Sequence, residues 1–355
     1  MQLANRRPMD AYASTNRSTG DAAVTGSAAP SYHAPWWLGR GGFGAHVQTA
    51  YPFIVDRPAP VSYLRARWET TPDGTPDGDF IDIDRVVGPL DKPLVVVFHG
   101  LEGSSQSIYS LNLMNEVSRR GWRGMVVHFR GCSGEINRLP RAYHSGDSTE
   151  IDWILRRAKS ESPSQPLFVA AISLGGNATL KWLGEQGNAA APIANAVAAI
   201  SAPMDLMAAG EVLEQGFCKV YTYRFLRTMK RKCLIKLRQH PGIFREEVMH
   251  ASRTLREFDN EVTAPLHGYR DTDDYWTRGS AKPLLGGIQV TTLILNAQND
   301  PFLPAPALPK PHEVSSHVTL HYPDNGGHVG FLTGRFPGNG TWMPTRVFRF
   351  FDEGV

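Results

Sequence analysis

One serine lies where a buried strand is predicted to run directly into a helix. Residues 167–176 read LFVAAISLGG, so small residues stand two positions before and two positions after Ser173. Such a turn strains the residue at its apex and pushes its side chain out at the carboxyl end of a sheet. The helix N-terminus that follows favours negative charge developing beside it. We therefore predict that Ser173 is a nucleophile, with Ala171 replacing the first glycine of the usual pattern G-x-S-x-G.

A serine nucleophile needs a base, and the base needs an acid that orients it. Asp300 comes just after a strand predicted at 290–295 and is our candidate acid, with Asp205, which follows the strand predicted at 196–200, as the alternative. In hydrolases with this serine turn the histidine follows the acid along the chain. Among the histidines after Asp300, His328 stands in the glycine-flanked loop GGHVG that follows a strand predicted at 318–322. We predict that His328 is the base.

Acyl transfer at a serine also needs backbone N–H groups that stabilise the negative oxygen of the tetrahedral intermediate. The N–H of Leu174, directly after the nucleophile, is one predicted donor. The second is expected from the loop HGLEGS at 99–104, where Gly100 permits close approach and Leu101 supplies the N–H. His99 in this loop is interpreted as a hydrogen-bonded support, with a role as a second base as the alternative.

These residues require strands that end at one edge of a sheet. Short apolar runs at 94–98, 125–129, 167–172, 196–200 and 290–295 are typical of parallel strands buried on both faces. Helical stretches at about 107–120, 143–160 and 174–187 separate the first four runs, which indicates crossover helices. Alternating segments at 61–70 and 80–87, joined by a turn-rich loop, predict an N-terminal β-hairpin. The fold class is therefore α/β: a mostly parallel, doubly wound sheet.

Three further stretches complete the predicted organisation. Residues 1–30 are polar and small and are expected to form a flexible tail before a domain over 31–355. The glycine cluster at 41–44 follows no apolar strand and is interpreted as an irregular turn rather than a phosphate loop. The segment at about 203–282 is mainly helical in pattern and is predicted to be a lid inserted over one end of the sheet.

Composition excludes several classes of protein. The 355 residues carry 37 Lys and Arg against 34 Asp and Glu, and a net charge of +3 gives no case for nucleic-acid binding. Three cysteines without a CxxC pair argue against a disulfide framework and a zinc ribbon, and they fit a reduced cytoplasm. No secretion signal or membrane-spanning run of apolar residues is apparent. The sequence sets no oligomeric state.

Together, several motifs resemble the YheT-like branch of the α/β-hydrolase superfamily over about residues 35–353. They are GAHVQT at 44–49, HGLEG at 99–103, HFRGCSG at 128–134, NDPF at 299–302, GGHVGF at 326–331 and the stretch from Asp259 to Tyr275. The resemblance implies a Ser–Asp–His hydrolase of short- or medium-chain acyl esters, including monoacylglycerol-like lipids, that needs no metal or organic cofactor. It carries over Ser173, Asp300 and His328 as the triad, and Leu101 and Leu174 as oxyanion donors. The alternatives are an acyltransferase, although no histidine here begins an H-x4-D motif, and a ligand-binding relative without turnover.

Residues 219–238 read KVYTYRFLRTMKRKCLIKLR, with eight Lys or Arg and no acid. Apolar residues at spacings of three and four, from Val220 and Tyr223 to Leu237, predict one buried helical face. The first interpretation is a lid helix with a solvated basic face. The second is peripheral contact with an anionic membrane.

Overall fold

An eight-stranded sheet forms the centre of the structure, a computed structural model that describes residues 30–38 and 41–353. The strands are β1 Leu64–Glu69, β2 Phe80–Val86, β3 Leu94–Phe98, β4 Arg123–His128, β5 Leu167–Ile172, β6 Ala196–Ile200, β7 Thr291–Leu295 and β8 Val318–His321. Their order across the sheet is β1-β2-β4-β3-β5-β6-β7-β8. The pairs β1–β2 and β2–β4 are antiparallel and all others are parallel. The predicted α/β class, the N-terminal hairpin and the mostly parallel sheet are thus confirmed.

Helices connect and cover the strands. They are α1 Gly41–Ala50, α2 Pro52–Val55, α3 Ile108–Arg119, α4 Ser148–Ser160, α5 Leu174–Gln186, α6 Leu206–Leu213, α7 Cys218–Gln239, α8 Glu246–Ala251, α9 Leu255–Phe258, α10 Ala264–Leu266, α11 Thr272–Gly279 and α12 Trp342–Glu353. A π-helical turn, Asp259–Thr263, joins α9 to α10. Helices α6 to α11 all lie between β6 and β7, and we call this stretch the lid segment (residues 203–282). Its role as a lid stays a prediction.

The central strands are buried on both faces, as their continuous apolar runs predict. Every residue of β3, β5 and β6 is buried. Val96 packs in a cluster on one face with Trp182 of α5, and Val97 packs in a cluster on the other face with Phe348 of α12. Because the crossover connections make β3 to β8 parallel, their carboxyl ends meet at one edge, and the loops that follow them can share a site.

The structure differs from three expectations. The glycine cluster at 41–44 is not an irregular turn but the start of α1, where packing against the loop around His328 outweighs the weak helix propensity of glycine. Helix α4 begins at Ser148 because Asp147 accepts a hydrogen bond from the Glu150 N–H and caps it there. The expected buried stripe of α7 fails in its first two turns, where Val220 and Tyr223 are exposed. The predicted tail, apart from Pro30, lies outside the described residues.

Candidate active site

Ser173 stands at the apex of the turn between β5 and α5. Its backbone has φ +51° and ψ −117°, a conformation that residues other than glycine rarely adopt. The turn is also tight, because a Cβ atom on Gly175 would stand 2.7 Å from the His99 carbonyl oxygen. Ala171 is fully buried in β5, so its methyl group is accommodated in place of a glycine.

The three residues of the predicted triad are brought together. His328 Nε2 lies 3.0 Å from Ser173 Oγ, and His328 Nδ1 lies 2.9 Å from Asp300 Oδ2 and 3.1 Å from Oδ1. The Asp300 side chain has no exposure, whereas that of His328 retains 11%. An ionised carboxylate only accepts hydrogen bonds, so Nδ1–H donates to Asp300 and Nε2 is left to accept the serine proton. The Phe302 ring lies 4.2 Å from the imidazole and fixes its plane.

The alternative acid, Asp205, has a different place. Its side chain accepts a hydrogen bond from the Ala208 N–H at 3.0 Å and caps α6. The two aspartates follow neighbouring strands of the sheet, but only Asp300 reaches the histidine.

Two residues without a predicted role hold the histidine loop. Thr49 Oγ1 accepts a hydrogen bond from the His328 N–H at 2.9 Å, and Ser201 Oγ accepts one from the Val329 N–H at 3.1 Å. The contact between α1 and this loop is close, since a Cβ atom on Gly327 would stand 2.6 Å from the Ala45 carbonyl oxygen. The motif at 44–49 was a signal that this stretch matters, but it did not show that Thr49 touches the histidine.

The predicted oxyanion donors flank Ser173. Leu174 is the first residue of α5, so its N–H has no carbonyl partner within the helix. On the other side, a Cβ atom on Gly100 would stand 3.1 Å from Ser173 Cβ, which places the loop that carries Leu101 directly against the serine. The arrangement suits a tetrahedral oxygen held between two backbone N–H groups.

His99 supports this loop. Its Nδ1 lies 2.7 Å from the Gly100 carbonyl oxygen, and its Nε2 accepts a hydrogen bond from the Phe129 N–H at 3.2 Å. Complete burial lowers the pKa of His99 to about 3. Both ring nitrogens are therefore engaged, and the interpretation as a second base finds no support.

A partly buried ion pair joins the loop after β3 to the lid segment. Glu102 Oε1 accepts hydrogen bonds from Lys232 Nζ at 2.7 Å and from the Tyr143 hydroxyl at 2.8 Å, and the Glu102 N–H donates to the same hydroxyl. Glu102 has φ +57°, and it directly follows Leu101. Lys232 Nζ also lies 3.3 Å from Cys132 Sγ, and burial raises the pKa of that thiol to about 11. The Cys132 thiol therefore stays protonated at neutral pH and is not a reactive thiolate.

A cavity of about 430 Å³ opens beside Ser173 and His328. Helices α6 and α7 supply one wall of it: Leu206, Ala209, Gly210, Leu213, Tyr221, Arg224, Phe225, Thr228 and Met229. Its other apolar walls include Leu101 and Phe53, and its polar groups include Glu102 and Asp259. The cavity has the size and the mixed character of a small-molecule site.

Within residues 30–38 and 41–353, no group of three or more His, Cys, Asp or Glu side chains is placed to hold a metal ion. No helix in this described part is long and apolar enough to cross a membrane.

Fold and site together define a protein of the α/β-hydrolase class, with Ser173 at the apex of the turn between β5 and α5. The family described as having the alpha/beta hydrolase fold matches residues 93–335, more than half of the chain. The chain belongs to this family.

Individual relatives agree with this assignment. The chain is 38% identical over 313 residues to the Escherichia coli K12 protein named "Putative esterase YheT", covering 87% of this chain and 90% of that protein. It is 31% identical over 332 residues to human "Phospholipase ABHD3", covering 91% of this chain and 78% of that protein. A solved structure of the Pyrococcus furiosus esterase Pf2001 has a TM-score of 0.53 at 13% identity, over 82% of this chain and 90% of that one, and it supports the fold alone.

Proposed function

We propose that this protein is a carboxylic ester hydrolase that works through an acyl-enzyme on Ser173. The observation that carries the proposal is the continuous hydrogen-bonded chain from Ser173 through His328 to Asp300. His328 takes the proton of Ser173 as the serine attacks the ester carbonyl, and it returns that proton to the leaving alcohol. Asp300 orients the imidazole and stabilises its charged form. The N–H groups of Leu101 and Leu174 hold the negative oxygen, and water then cleaves the acyl-enzyme.

The cavity favours short- and medium-chain acyl esters as substrates. Its volume of about 430 Å³ lies near the lower end of the usual range for ligand sites, roughly 300–1,000 Å³. The names of the relatives, esterase and phospholipase, agree with an ester of lipid type. Monoacylglycerol-like lipids are within this proposal. The three cysteines are free thiols, which supports the expected cytoplasmic location.

Labelling by a fluorophosphonate tests the mechanism, and p-nitrophenyl esters of two to sixteen carbons test the substrate class. We expect wild-type protein to be labelled and to turn over the shorter esters, and Ser173→Ala to lose both properties. Ser160→Ala, at the exposed end of α4, is the matched control and should behave as wild type. Equal labelling of Ser173→Ala would show that the nucleophile is wrong. Added ethanol separates acyl transfer, which yields ethyl ester, from hydrolysis, which yields acid.

We further propose that α7 brings the cavity to an anionic membrane surface. Five of its basic side chains are exposed and have no ion pair among the described residues: Lys219, Arg224, Arg227, Arg231 and Arg238. Phe217, Val220 and Tyr223 at the start of the helix are exposed apolar groups. Phe53 is also exposed and lines the same cavity as Arg224, so the basic and apolar groups adjoin the cavity. This combination is typical of helices that lie at a lipid surface.

Vesicle flotation tests this contact. At low salt we expect wild-type protein to float with vesicles that contain anionic lipid and not with purely zwitterionic vesicles. The triple variant K219Q/R227Q/R231Q should stay in solution, because each basic group near an anionic surface contributes about 1 kcal/mol. The control K92Q/R119Q/R156Q removes the same charge outside the lid segment. Equal flotation of the two triple variants would contradict the proposal.

A further inference from the structure

Asp259 is a carboxyl group that lines the cavity beside the proposed triad and takes no part in the mechanism above. Asp259 is the first residue of the π-helical turn Asp259–Thr263 in the lid segment. Turns of this type are rare and occur frequently at functional sites. Asp259 is half-buried and lines the same cavity as Ser173. A ligand bound to the serine therefore shares its cavity with this carboxyl group.

The hydrogen bonds of Asp259 leave acceptor positions free. Its Oδ2 accepts a hydrogen bond from the Trp276 indole N–H at 2.9 Å, and its Oδ1 accepts one from the Thr263 hydroxyl at 2.6 Å. Each oxygen of an ionised carboxylate can accept two hydrogen bonds, so each retains one position. Desolvation by burial raises the pKa of Asp259 to about 6, and the group is mainly ionised above neutral pH.

Asp259 also differs from the other carboxylate of the cavity wall. Glu102 is ion-paired with Lys232, whereas no ion pair is formed by Asp259 within the described part of the chain. A carboxylate at the wall of an apolar cavity is costly unless donors surround it. A hydrogen bond from a bound molecule to this carboxylate would therefore contribute more free energy here than the same hydrogen bond would in water.

The chemistry of the cavity selects the kind of donor. A hydrocarbon acyl chain has none. A cationic group is disfavoured, because Arg224 lines the same cavity and belongs to the basic stretch of α7. A neutral hydroxyl group meets neither objection. We propose that Asp259 is a specificity-determining residue that accepts a hydrogen bond from a free hydroxyl group of the ester substrate. The inference rests on the proposed ester hydrolysis.

Three esters that share a four-carbon acyl skeleton test it. Propyl butyrate has no hydroxyl group, glyceryl monobutyrate carries hydroxyl groups on the alcohol part, and propyl 3-hydroxybutyrate carries one on the acyl part. In Asp259→Asn we expect kcat/KM for one hydroxylated ester, relative to propyl butyrate, to fall by about tenfold or more. The hydroxylated ester whose relative kcat/KM falls shows which part of the substrate faces Asp259. Glu247→Gln removes the same negative charge at an exposed position of the lid segment, and it should leave both ratios as in wild type.

Wild-type protein alone can also overturn the inference, should Asp259→Asn fail to fold. Removing a hydroxyl group from water into an apolar wall is unfavourable, so without a partner both hydroxylated esters should be poorer substrates than propyl butyrate by about tenfold. That result, or unchanged ratios in a folded Asp259→Asn, contradicts the role of Asp259. A preference for butyrylcholine over all three esters would assign the site to a cation and equally overturn it. Absence of any turnover and of fluorophosphonate labelling would instead refute the proposed hydrolase function, on which this inference depends.

Discussion

Backbone strain in this protein is concentrated around one serine. Glu102, Ser173, Ser201 and Val329 are the non-glycine residues with positive φ in the described part of the chain, and each lies in or beside the candidate site. Such conformations cost about 1–3 kcal/mol each and persist only where the surroundings hold them. Val329 is the least expected of them, because a β-branched residue at φ +64° is a genuine outlier. Its N–H bond to Ser201 and the neighbouring bond from His328 to Thr49 hold the loop in this shape.

At the scale of single residues we predict that Thr49→Val lowers kcat about tenfold with a small change in KM. The valine leaves the His328 N–H without its acceptor and releases the imidazole from its place near Ser173. Thr49→Ser keeps the hydroxyl group and should restore most of the rate. Steady-state kinetics on a p-nitrophenyl ester measure both, with circular dichroism as a check on folding. A wild-type rate in Thr49→Val, or a loss seen only in Thr49→Ser, would mean that the methyl group, not the hydrogen bond, matters.

The candidate triad could be predicted from sequence because each member follows a strand in a recognisable local pattern. Ser173 lies between small residues, Asp300 follows a buried run, and His328 is flanked by glycines. The roles of Thr49 and Ser201 could not be predicted in this way. Their hydroxyl groups contact the histidine loop from 279 and 128 positions away along the chain, and no local pattern encodes such a contact.

At the scale of the elements, the basic side chains of α7 differ in the environment that each one faces. Lys232 and Lys236 reach inward to Glu102 and to the Asn137 carbonyl, while basic residues such as Arg227 and Arg231 stay outside. Periodicity in the sequence correctly predicts a helix here. It could not predict that Val220 and Tyr223 would be exposed, because spacing shows which residues share a face and not how far the neighbouring elements extend.

At this scale we predict that Lys232→Met lowers kcat about tenfold or more. The methionine leaves the partly buried Glu102 carboxylate without its cation, and Glu102 is adjacent to Leu101, the proposed oxyanion donor. Because the role proposed for the Leu101 N–H is exerted on the transition state, binding of a boronic acid that mimics the tetrahedral intermediate should weaken by a similar factor, while KM changes little. Lys232→Arg should retain part of both properties.

Arg231→Met, on the exposed side of α7, is the matched control and should leave kcat and inhibitor binding as in wild type. A Lys232→Met protein that binds the boronic acid normally would show that the ion pair serves stability alone.

At the scale of the whole molecule, His99, His144 and His267 contribute more to the pH dependence of stability than to chemistry. Burial lowers the pKa of His99 to about 3, of His144 to about 4 and of His267 to about 2. The rings of His144 and His267 lie 4.2 Å apart, between the loop before α4 and the lid segment. All three are neutral in the folded protein at pH values where an unfolded chain binds protons.

We therefore predict that the free energy of unfolding falls as the pH drops below about 6.5, the unfolded pKa of histidine. The stability that depends on these neutral histidines is fully present above that pH. As the pH falls below it, each histidine lowers the free energy of unfolding by about 1.4 kcal/mol per pH unit until its folded pKa is reached. Burial raises the pKa values of Asp259 and Glu150, which opposes this loss, but these are two groups against three histidines. Urea denaturation at pH 7.5 and pH 5.5 measures the effect.

His144→Gln should flatten this pH dependence, and His33→Gln, at an exposed site, should not. Equal stability of wild-type protein at the two pH values would contradict the assignment of three neutral histidines.

Asn177, fully buried in the first turn of α5, has a consequence for exchanging parts between family members. Its amide donates hydrogen bonds to the Ser145 and Gly279 carbonyl oxygens, and its Oδ1 accepts one from the Ala281 N–H. The end of the lid segment is thereby attached to the helix that begins directly after Ser173. A chimaera that grafts the corresponding segment of a relative onto this sheet should therefore keep residues 279–281 with the recipient and place its junction before Gly279.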